Sequence, residues 1–321
     1  MREPQFSQLH DIDSQALVDE ALTGLSQPAA AVSPKFFYDA LGSRLFDAIT
    51  ELPEYYPTRT EAAIIDANLA DIAAAVQSKA GAHATLVDLG AGNCAKAARL
   101  FAALAPSRYI AVDISVEFLR QSLGDLQRQH EDVEMVGVGL DFSARLALPA
   151  GLVGGPALVF YPGSSIGNFS PDAALRLLRE AREASQGGAL LIGVDLVKDT
   201  ATLEAAYDDE LGVTAAFNLN LLSHVNRLTG SNFSARDWQH VALFNTVHSR
   251  IEMHLQARRS LHVKWRGGQR TFGAGERIHT ENSYKWRRED FEALLLAAGF
   301  AQVQCWSDAR GWFAVMLASS R

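Results

Sequence analysis

Long hydrophobic runs and an excess of basic residues are both missing from this chain of 321 residues. No run of about 18 apolar residues occurs, and the opening residues, MREPQFS, lack the apolar core of a secretion signal. The net charge of −8 provides no general basic surface for nucleic acid. These absences lead us to expect a cytoplasmic protein that binds neither membranes nor nucleic acid.

Cysteine is also scarce, and the histidines are scattered. The two cysteines, Cys94 and Cys305, exclude a disulfide framework. Four histidines follow one another at spacings that match no zinc motif: His240, His248, His254 and His262. No metal site is predicted. Cys94 has no histidine near it in sequence, so we interpret it as a small packing residue and not as a nucleophile.

A glycine-bearing segment lies between two short apolar stretches at residues 85–89 and 108–113. Gly90 and Gly92 follow the first stretch, and Asp113 ends the second. Small residues at such a turn let the backbone approach a ligand, and an acid at the next strand tip accepts hydrogen bonds from ribose hydroxyls. The segment therefore predicts a site for a cofactor that contains a nucleoside.

Two cofactor classes fit this segment. The spacing of Gly90, Gly92 and Ala95 matches the fingerprint of dinucleotide-binding proteins, with alanine as the third small residue. Asp88, just ahead of the glycines, instead favours S-adenosylmethionine (SAM), because a carboxylate there can meet the cationic methionine end. A tight turn that binds no ligand is the third interpretation.

Residues after the next predicted strands also favour SAM. Asp141 and Phe142 follow the third strand, and such an acid and ring suit the amino group and the plane of adenine. The chain ends in an apolar stretch at 312–319, as methyltransferases do when an extra strand closes the sheet. We therefore favour a methyltransferase, and a nicotinamide-dependent oxidoreductase stays open.

Strand candidates alternate with helical segments over much of the chain. They lie at residues 85–89, 108–113, 133–140, 157–162 and 188–196, and the alternation resumes near the C-terminus. Thr58 and Glu61 are interpreted as a capping box at a helix start. We expect an α/β fold, with a Rossmann-like class I SAM-dependent methyltransferase sheet. The predicted domains are a SAM-binding domain at 60–197 and 286–321, and a substrate-binding domain formed by the N-terminal segment 1–59 and an insertion at 198–285.

Four segments, at predicted ligand-facing strand tips and in the parts of the chain predicted to cover them, combine aromatic and polar residues, and together they suit a small polar substrate. In the last of them, residues 279–284, an extended backbone puts Glu281 and Ser283 on one face and Asn282 and Tyr284 on the other. A carboxylate beside a hydroxyl suits the N–H group of a heteroaromatic ring. Taken singly, such pairs usually face water, and aromatic residues usually fill cores.

From about Ser33 to its end, the chain resembles the ergothioneine-pathway L-histidine Nα-methyltransferase family. That family makes the betaine hercynine from histidine and three equivalents of SAM. The runs that carry the resemblance are 34–43 (PKFFYDALGS), 52–61 (LPEYYPTRTE), 163–168 (GSSIGN), 195–200 (DLVKDT), 206–209 (AYDD) and 212–218 (GVTAAFN), together with Thr280, Glu281 and Ser283. They are far more specific than the glycine segment.

The resemblance implies roles for individual residues. Those expected to bind SAM are Gly90, Gly92, Lys96, Asp113, Asp141 and Phe142. Those expected to bind the amino acid are Tyr56, Asn168, Tyr207, Phe217, Met253, Glu281, Asn282 and Ser283. Among them, Asn168 and Tyr207 are expected to bind the carboxylate, and Glu281 and Ser283 the imidazole. Tyr38 is expected near the reacting amine.

This sequence departs from the family pattern at two places. The glycine segment reads GAGNCAK where the family has a version rich in serine and threonine, and Asn282 and Tyr284 replace apolar or small residues. We expect a monomer that acts on L-histidine and its methylated intermediates. A methyltransferase of another amino acid or amine and a non-catalytic SAM-binding protein are the alternatives.

Overall fold

The structure, a computed structural model, describes residues 3–9 and 14–320 and divides the chain into two compact units. Unit 1 comprises Met1–His10, Pro57–Val197 and Lys285–Arg321. Unit 2 comprises Asp11–Tyr56 and Lys198–Tyr284. The predicted domain ranges include residues 1, 2, 10–13 and 321, which lie outside the described residues.

The described residues form ten α-helices and thirteen strands. The helices are α1 (Ser14–Ser26), α2 (Ala40–Thr50), α3 (Tyr56–Ala67), α4 (Leu69–Ala80), α5 (Ala95–Leu104), α6 (Val116–Gln129), α7 (Pro171–Ala184), α8 (Thr200–Ala205), α9 (Val213–Thr229) and α10 (Arg288–Ala297). The strands are β1 (Gln5–Gln8), β2 (Thr85–Leu89), β3 (Arg108–Asp113), β4 (Glu134–Gly139), β5 (Ala157–Tyr161), β6 (Ala189–Asp195), β7 (Trp238–Asn245), β8 (Arg250–Ala257), β9 (Leu261–Trp265), β10 (Gly268–Phe272), β11 (Arg277–Tyr284), β12 (Gln302–Ser307) and β13 (Phe313–Ser319).

Unit 1 is built on one sheet with the strand order β1-β4-β3-β2-β5-β6-β13-β12 among the described residues. The strands from β1 to β6 pair in parallel, whereas β13 is antiparallel to both β6 and β12. Alternate residues of β2 enter two different hydrophobic clusters, Val87 and Leu89 in one and Leu86 in the other. A parallel sheet buried on both faces is the predicted fold class, which is confirmed.

The first strand of this sheet was not expected from the sequence. Residues 1–59 were assigned to the substrate-binding domain, but β1 pairs in parallel with β4 and so belongs to unit 1. Gly137 of β4 makes this possible, because a Cβ atom there would lie 2.1 Å from the ring of Phe6. Four residues of mixed polarity carry too little periodicity to predict such a strand.

The start of α3 also differs from the prediction. The helix begins at Tyr56, so Thr58 lies within its first turn and is not an N-cap residue. The carboxylate of Glu61 instead accepts hydrogen bonds from Lys96 and Gly163, elsewhere in unit 1. The interpretation of Thr58 and Glu61 as a capping box is therefore wrong, because the pattern of a threonine followed by a glutamate also occurs inside helices.

Unit 2 contains an antiparallel sheet with the order β11-β8-β7 and a two-stranded hairpin of β9 and β10. Alternate residues of β8 are buried, among them Ile251, Met253 and Leu255, as expected for a sheet with one face in the core. Helix α9 packs against β7 and β8 and buries Phe217 and Leu221. Among the described residues, no helix is long and apolar enough to span a membrane.

Candidate functional site

The glycine segment turns sharply after β2. Gly90 and Gly92 have φ angles of +70° and +52°, a region that favours glycine. A Cβ atom at either position would meet no atom closer than 3.8 Å, so the backbone conformation and not the available space calls for glycine here. Cys94, just before α5, is buried, and burial raises the pKa of its thiol to about 12. A thiol that stays protonated is a poor nucleophile, in agreement with a packing role.

Asp113 holds this segment from the tip of β3. Its Oδ2 accepts a hydrogen bond from the backbone N–H of Gly92 (2.9 Å), and its Oδ1 accepts one from the N–H of Ser115 (2.8 Å). Both oxygens of the carboxylate are thereby oriented, and each retains a lone pair for a further donor. The geometry fits a carboxylate that accepts hydrogen bonds from ribose hydroxyls.

Asp88 lies beneath the glycine segment, with 1% of its surface exposed. The hydroxyl of Tyr109 donates a hydrogen bond to its Oδ2 (2.7 Å), while its Oδ1 makes no hydrogen bond within the described part of the chain. Burial raises the pKa of this carboxyl group to about 7. An orphaned buried oxygen at this place fits a cofactor that brings a donor or a positive charge.

Phe142 lies beside the glycine segment on the next strand tip. Its ring packs edge-on against Tyr161, with centroids 5.8 Å apart, and a Cβ atom on Gly90 would lie 3.8 Å from it. Asp141 is oriented by Ser143, whose backbone N–H donates to Oδ1 (3.1 Å). The structure therefore brings the residues predicted to hold adenine to the segment predicted to hold the rest of the nucleoside.

Lys96, on the first turn of α5, is held by a residue that the sequence did not single out for the site. Its Nζ donates to Oε2 of Glu61 (2.9 Å), and Oε1 of Glu61 accepts from the backbone N–H of Gly163 (2.7 Å). Gly163 opens the loop after β5 that leads to Asn168, at the same carboxyl-terminal edge of the parallel strands as Asp113. Ligands bind at that edge in sheets of this type.

In unit 2, an aromatic cluster forms around Phe217 of α9. Phe37 stacks on it with centroids 4.5 Å apart, Tyr38 meets it edge-on at 5.9 Å, and Phe46 lies 6.0 Å away. Tyr38 and Phe217 were both predicted for the site and are brought together. Phe37 and Phe46 were missed as site residues, because an aromatic residue in a helix normally signals only a core position.

Tyr207 is linked to the strand that carries the predicted imidazole contacts. Its hydroxyl and that of Ser283 are 2.8 Å apart, so one donates a hydrogen bond to the other. The backbone oxygen of Tyr207 accepts from Nε2 of His240 (2.8 Å), and the side-chain amide of Asn218 donates to Nδ1 of the same ring (2.8 Å). Burial lowers the pKa of His240, which keeps it neutral in this chain of bonds. Neither His240 nor Asn218 had been assigned a role: Asn218 lies in the run 212–218 that carries the resemblance, but nothing in the sequence indicates that it bonds to His240.

Strand β11 carries Glu281 and Ser283 on its buried face. The pairing with β8 shifts register between His279 and Glu281, so the neighbouring residues Thr280 and Glu281 are both buried. Glu281 is 8% exposed and faces Met253 across the two strands. The bulge thus puts Glu281 and Ser283 on the same side as Met253, as three of the predicted substrate contacts require.

Asn282 lies on the other face of β11. Its Oδ1 accepts a hydrogen bond from Nε2 of His279 (2.9 Å), and the neighbouring Tyr284 hydroxyl accepts one from Arg250 (2.6 Å). The alternation of a strand separates Asn282 from Glu281 and Ser283, although the resemblance implies all three as substrate contacts. We therefore leave Asn282 out of the site.

Tyr56 contacts a cation within unit 2. The Nζ of Lys198 donates to its hydroxyl (2.6 Å) and lies 4.4 Å from the centre of its ring. Tyr56 itself is 1% exposed. Lys198 had not been assigned a role, because a lysine in a polar run usually faces water.

His254, on the less buried face of the unit 2 sheet, makes the stability of the protein depend on pH. Burial, followed by the nearby charge of His279, lowers the pKa of His254 to about 4, against a raising contribution from Glu252. Its pKa is thus lower in the folded protein than its ordinary value of 6.5. The stability that neutral His254 contributes is complete above pH 6.5 and is lost as the pH falls from 6.5 toward 4.

We expect His254→Gln to weaken this dependence. The measurement is urea unfolding at pH 7.5 and at pH 5. The decrease in the free energy of unfolding between these two pH values should be smaller in the variant than in the wild type, by on the order of 1–2 kcal/mol. Asp88, whose pKa burial raises to about 7, acts in the opposite direction in both proteins and cancels in the comparison. Equal losses in the two proteins would contradict the prediction.

Comparison with known proteins adds to this geometry. A family model described as "Histidine-specific methyltransferase, SAM-dependent" matches residues 17–320. Histidine N-alpha-methyltransferase of Mycolicibacterium smegmatis is 41% identical over 96% of both chains, and that of Mycobacterium tuberculosis is 39% identical over 95% of both. Ergothioneine biosynthesis protein 1 of Neurospora crassa is 29% identical over 88% of this chain, which spans 32% of that longer protein.

Proposed function

The chain belongs to the SAM-dependent, histidine-specific methyltransferase family, and from this premise we propose that it trimethylates the α-amino group of L-histidine to hercynine in ergothioneine biosynthesis. The observation that carries the proposal is the match to histidine N-alpha-methyltransferases over nearly the full chain. The buried pair Glu281 and Ser283 supports it, because such a pair suits an imidazole ring.

The methyl donor is SAM, which supplies a methyl group bound to a positively charged sulfur. Asp113 would accept hydrogen bonds from the ribose hydroxyls, and the ring of Phe142 would pack on adenine with Asp141 facing the adenine amino group. Lys96 provides the positive charge that suits the carboxylate of the methionine part. Asp88, just before Gly90, would add a negative electrostatic potential to the site when it is ionised, which suits the cationic methionine end of SAM.

The residues proposed for histidine divide by the part of the amino acid they suit. Glu281 would accept a hydrogen bond from an imidazole N–H and Ser283 would bond to the other ring nitrogen, while the side chain of Met253 packs beside the ring. Tyr207 and Asn168 would bind the α-carboxylate. With the imidazole and the α-carboxylate held in this way, the α-amino group would be left free to be methylated repeatedly.

Transfer of a methyl group is an in-line displacement that needs a neutral amine with its lone pair directed at the methyl carbon. An α-amino group has a pKa of about 8, so it loses a proton readily before it reacts. The contribution of the protein is then alignment and exclusion of water, and no covalent intermediate is required. Tyr38, packed edge-on against Phe217, is the hydroxyl that we propose near the amine.

The same aromatic cluster suits the product. A trimethylammonium group has no N–H left to donate, and aromatic faces attract such a cation. The ring centroid of Phe217 lies within 6.0 Å of the centroids of Phe37, Tyr38 and Phe46. We propose that this cluster tolerates each added methyl group, so that one site serves three successive transfers.

We also propose that the protein works as a cytoplasmic monomer on small molecules and without nucleic acid. Both cysteines are free thiols, as is usual in a reducing compartment, and the net charge of −8 disfavours a nucleic-acid partner.

The test of the function is mass spectrometry of the purified protein after incubation with SAM and the twenty amino acids. We expect histidine alone to gain three methyl groups. Methylation of a different amino acid would replace histidine as the substrate, and accumulation of the monomethyl product with SAM in excess would contradict repeated transfer. Binding of a nicotinamide cofactor in place of SAM would overturn the proposal as a whole.

A further inference from the structure

One buried carboxylate in unit 1, that of Glu61, has no role in the function proposed above. Glu61 lies in the second turn of α3 and is 2% exposed. A glutamate that is removed from water loses a large free energy of hydration, and only good partners compensate for it. An apolar residue would fill the same space at no such cost. The position therefore calls for a function that needs the charge.

Both oxygens of Glu61 have partners on other elements of unit 1. Oε2 accepts from Nζ of Lys96 on α5 (2.9 Å), and Oε1 accepts from the backbone N–H of Gly163 after β5 (2.7 Å). Space for the carboxylate comes from Gly193 on β6, where a Cβ atom would lie 1.9 Å from Oε1. Three separate elements are thus shaped around this one side chain.

Lys96 keeps access to a ligand while it is held. Its side chain is 34% exposed, against 3% for that of Glu61. An ammonium group has three donors, and the bond to Glu61 uses one of them. The ammonium also lies beside Gly163, since a Cβ atom there would be 2.8 Å from Nζ. A long flexible side chain is thereby fixed at one place, next to the loop that leads to Asn168.

We propose that Glu61 is a positioning residue for the methyl donor. It fixes the ammonium of Lys96 against Gly163, so that the remaining donors meet the carboxylate in the amino-acid part of SAM. The proposal rests on the assignment of Lys96 to SAM under the proposed function. Glu61 itself does not touch the donor, and its effect is confined to the amino-acid part.

Two ligands that differ only in that part provide the test. S-Adenosylhomocysteine carries the amino-acid part, and 5′-methylthioadenosine lacks it. In calorimetric titrations with Glu61→Gln, we expect the Kd of S-adenosylhomocysteine to rise about 10-fold, or about 1.4 kcal/mol. The Kd of 5′-methylthioadenosine should change less than twofold. Glutamine keeps an oxygen for the N–H of Gly163 but loses the charge that pairs with Lys96.

Glu134→Gln is the matched control. Glu134 pairs with Arg108 at 3.0 Å, and these residues begin β4 and β3, at the ends of the strands opposite to Asp113. We expect this variant to bind both ligands as the wild type does. Equal weakening of both ligands by Glu61→Gln would reduce Glu61 to a structural role, and no weakening of either would also overturn the proposal.

A second variant covers the case in which Glu61→Gln folds poorly. Lys96→Met combined with Glu61→Gln removes both charges of the pair, so no unpaired charge stays buried. The quantity to compare is the ratio of the Kd of S-adenosylhomocysteine to that of 5′-methylthioadenosine. If Glu61 acts through Lys96, this ratio should be the same in the double variant as in Lys96→Met alone, and a different ratio contradicts the proposal. If the wild type itself fails to bind S-adenosylhomocysteine, the proposed function fails and the role of Glu61 fails with it. A wild type that binds both ligands, with a ratio of Kd values that Glu61→Gln leaves unchanged, overturns the role of Glu61 alone.

Discussion

Joint replacement of Glu281 and Ser283 by alanine is expected to lower kcat/KM for histidine by roughly 1000-fold, measured with saturating SAM. Both side chains lie on the buried face of β11, so an imidazole bound there would lose its partners where water replaces them poorly. Loss of one charged and one neutral hydrogen bond costs about 4 kcal/mol in total, which corresponds to this factor.

The matched control is Asn282→Ala on the same strand. Asn282 bonds to His279 on the opposite face, and we expect kcat/KM for histidine to change less than threefold. Turnover of an amine without a ring, where the enzyme has any, should be little affected by the double replacement. If the double variant kept more than a tenth of the histidine activity, or if Asn282→Ala lost as much, the imidazole would be bound elsewhere.

The second large effect is expected at Asp113. Replacement by asparagine should raise the Kd of S-adenosylhomocysteine about 100-fold, or about 2.7 kcal/mol. Both oxygens of Asp113 accept hydrogen bonds from backbone N–H groups, and asparagine has only one oxygen. Its amide N–H₂ would face a second donor and loosen the turn at Gly92, while the charged acceptor for the ribose is lost.

Asp71→Asn provides the control for this measurement. Asp71 is a carboxylate of the same unit that accepts a hydrogen bond from Nε1 of Trp306 (2.8 Å), away from the glycine segment. We expect its replacement to leave the Kd unchanged. A Kd for Asp113→Asn within fivefold of the wild type would contradict the assignment of Asp113 to the ribose.

Local patterns were enough to predict the central strands of the sheet and the glycine segment. The apolar stretches that end at Leu89 and Asp113 became adjacent parallel strands, and Gly90 and Gly92 took the positive φ angles that such a turn needs. These features follow from residues close in sequence, because the period of a strand and the freedom of glycine are local properties. Asp113 is placed at the ligand edge by the rule that parallel strands end on the same side.

The partners of the site residues could not be predicted in the same way. Glu61 meets Lys96 across 35 residues of sequence, Tyr207 meets Ser283 across 76, and Lys198 meets Tyr56 across 142. A hydrogen bond between distant residues leaves no periodic trace in either segment. The resemblance to a known family named several of these residues, but it did not indicate what holds them.

The sequence by itself thus determined the fold class and, through resemblance, the family and its substrate, and it predicted a place for the cofactor. Only the tertiary structure decided which polar residues that are distant in sequence share a hydrogen bond. The bulge between His279 and Glu281 buries the neighbouring residues Thr280 and Glu281 together, and Gly193 makes room for the carboxylate of Glu61. Such decisions depend on register and on space between elements, which are fixed only when the chain has packed.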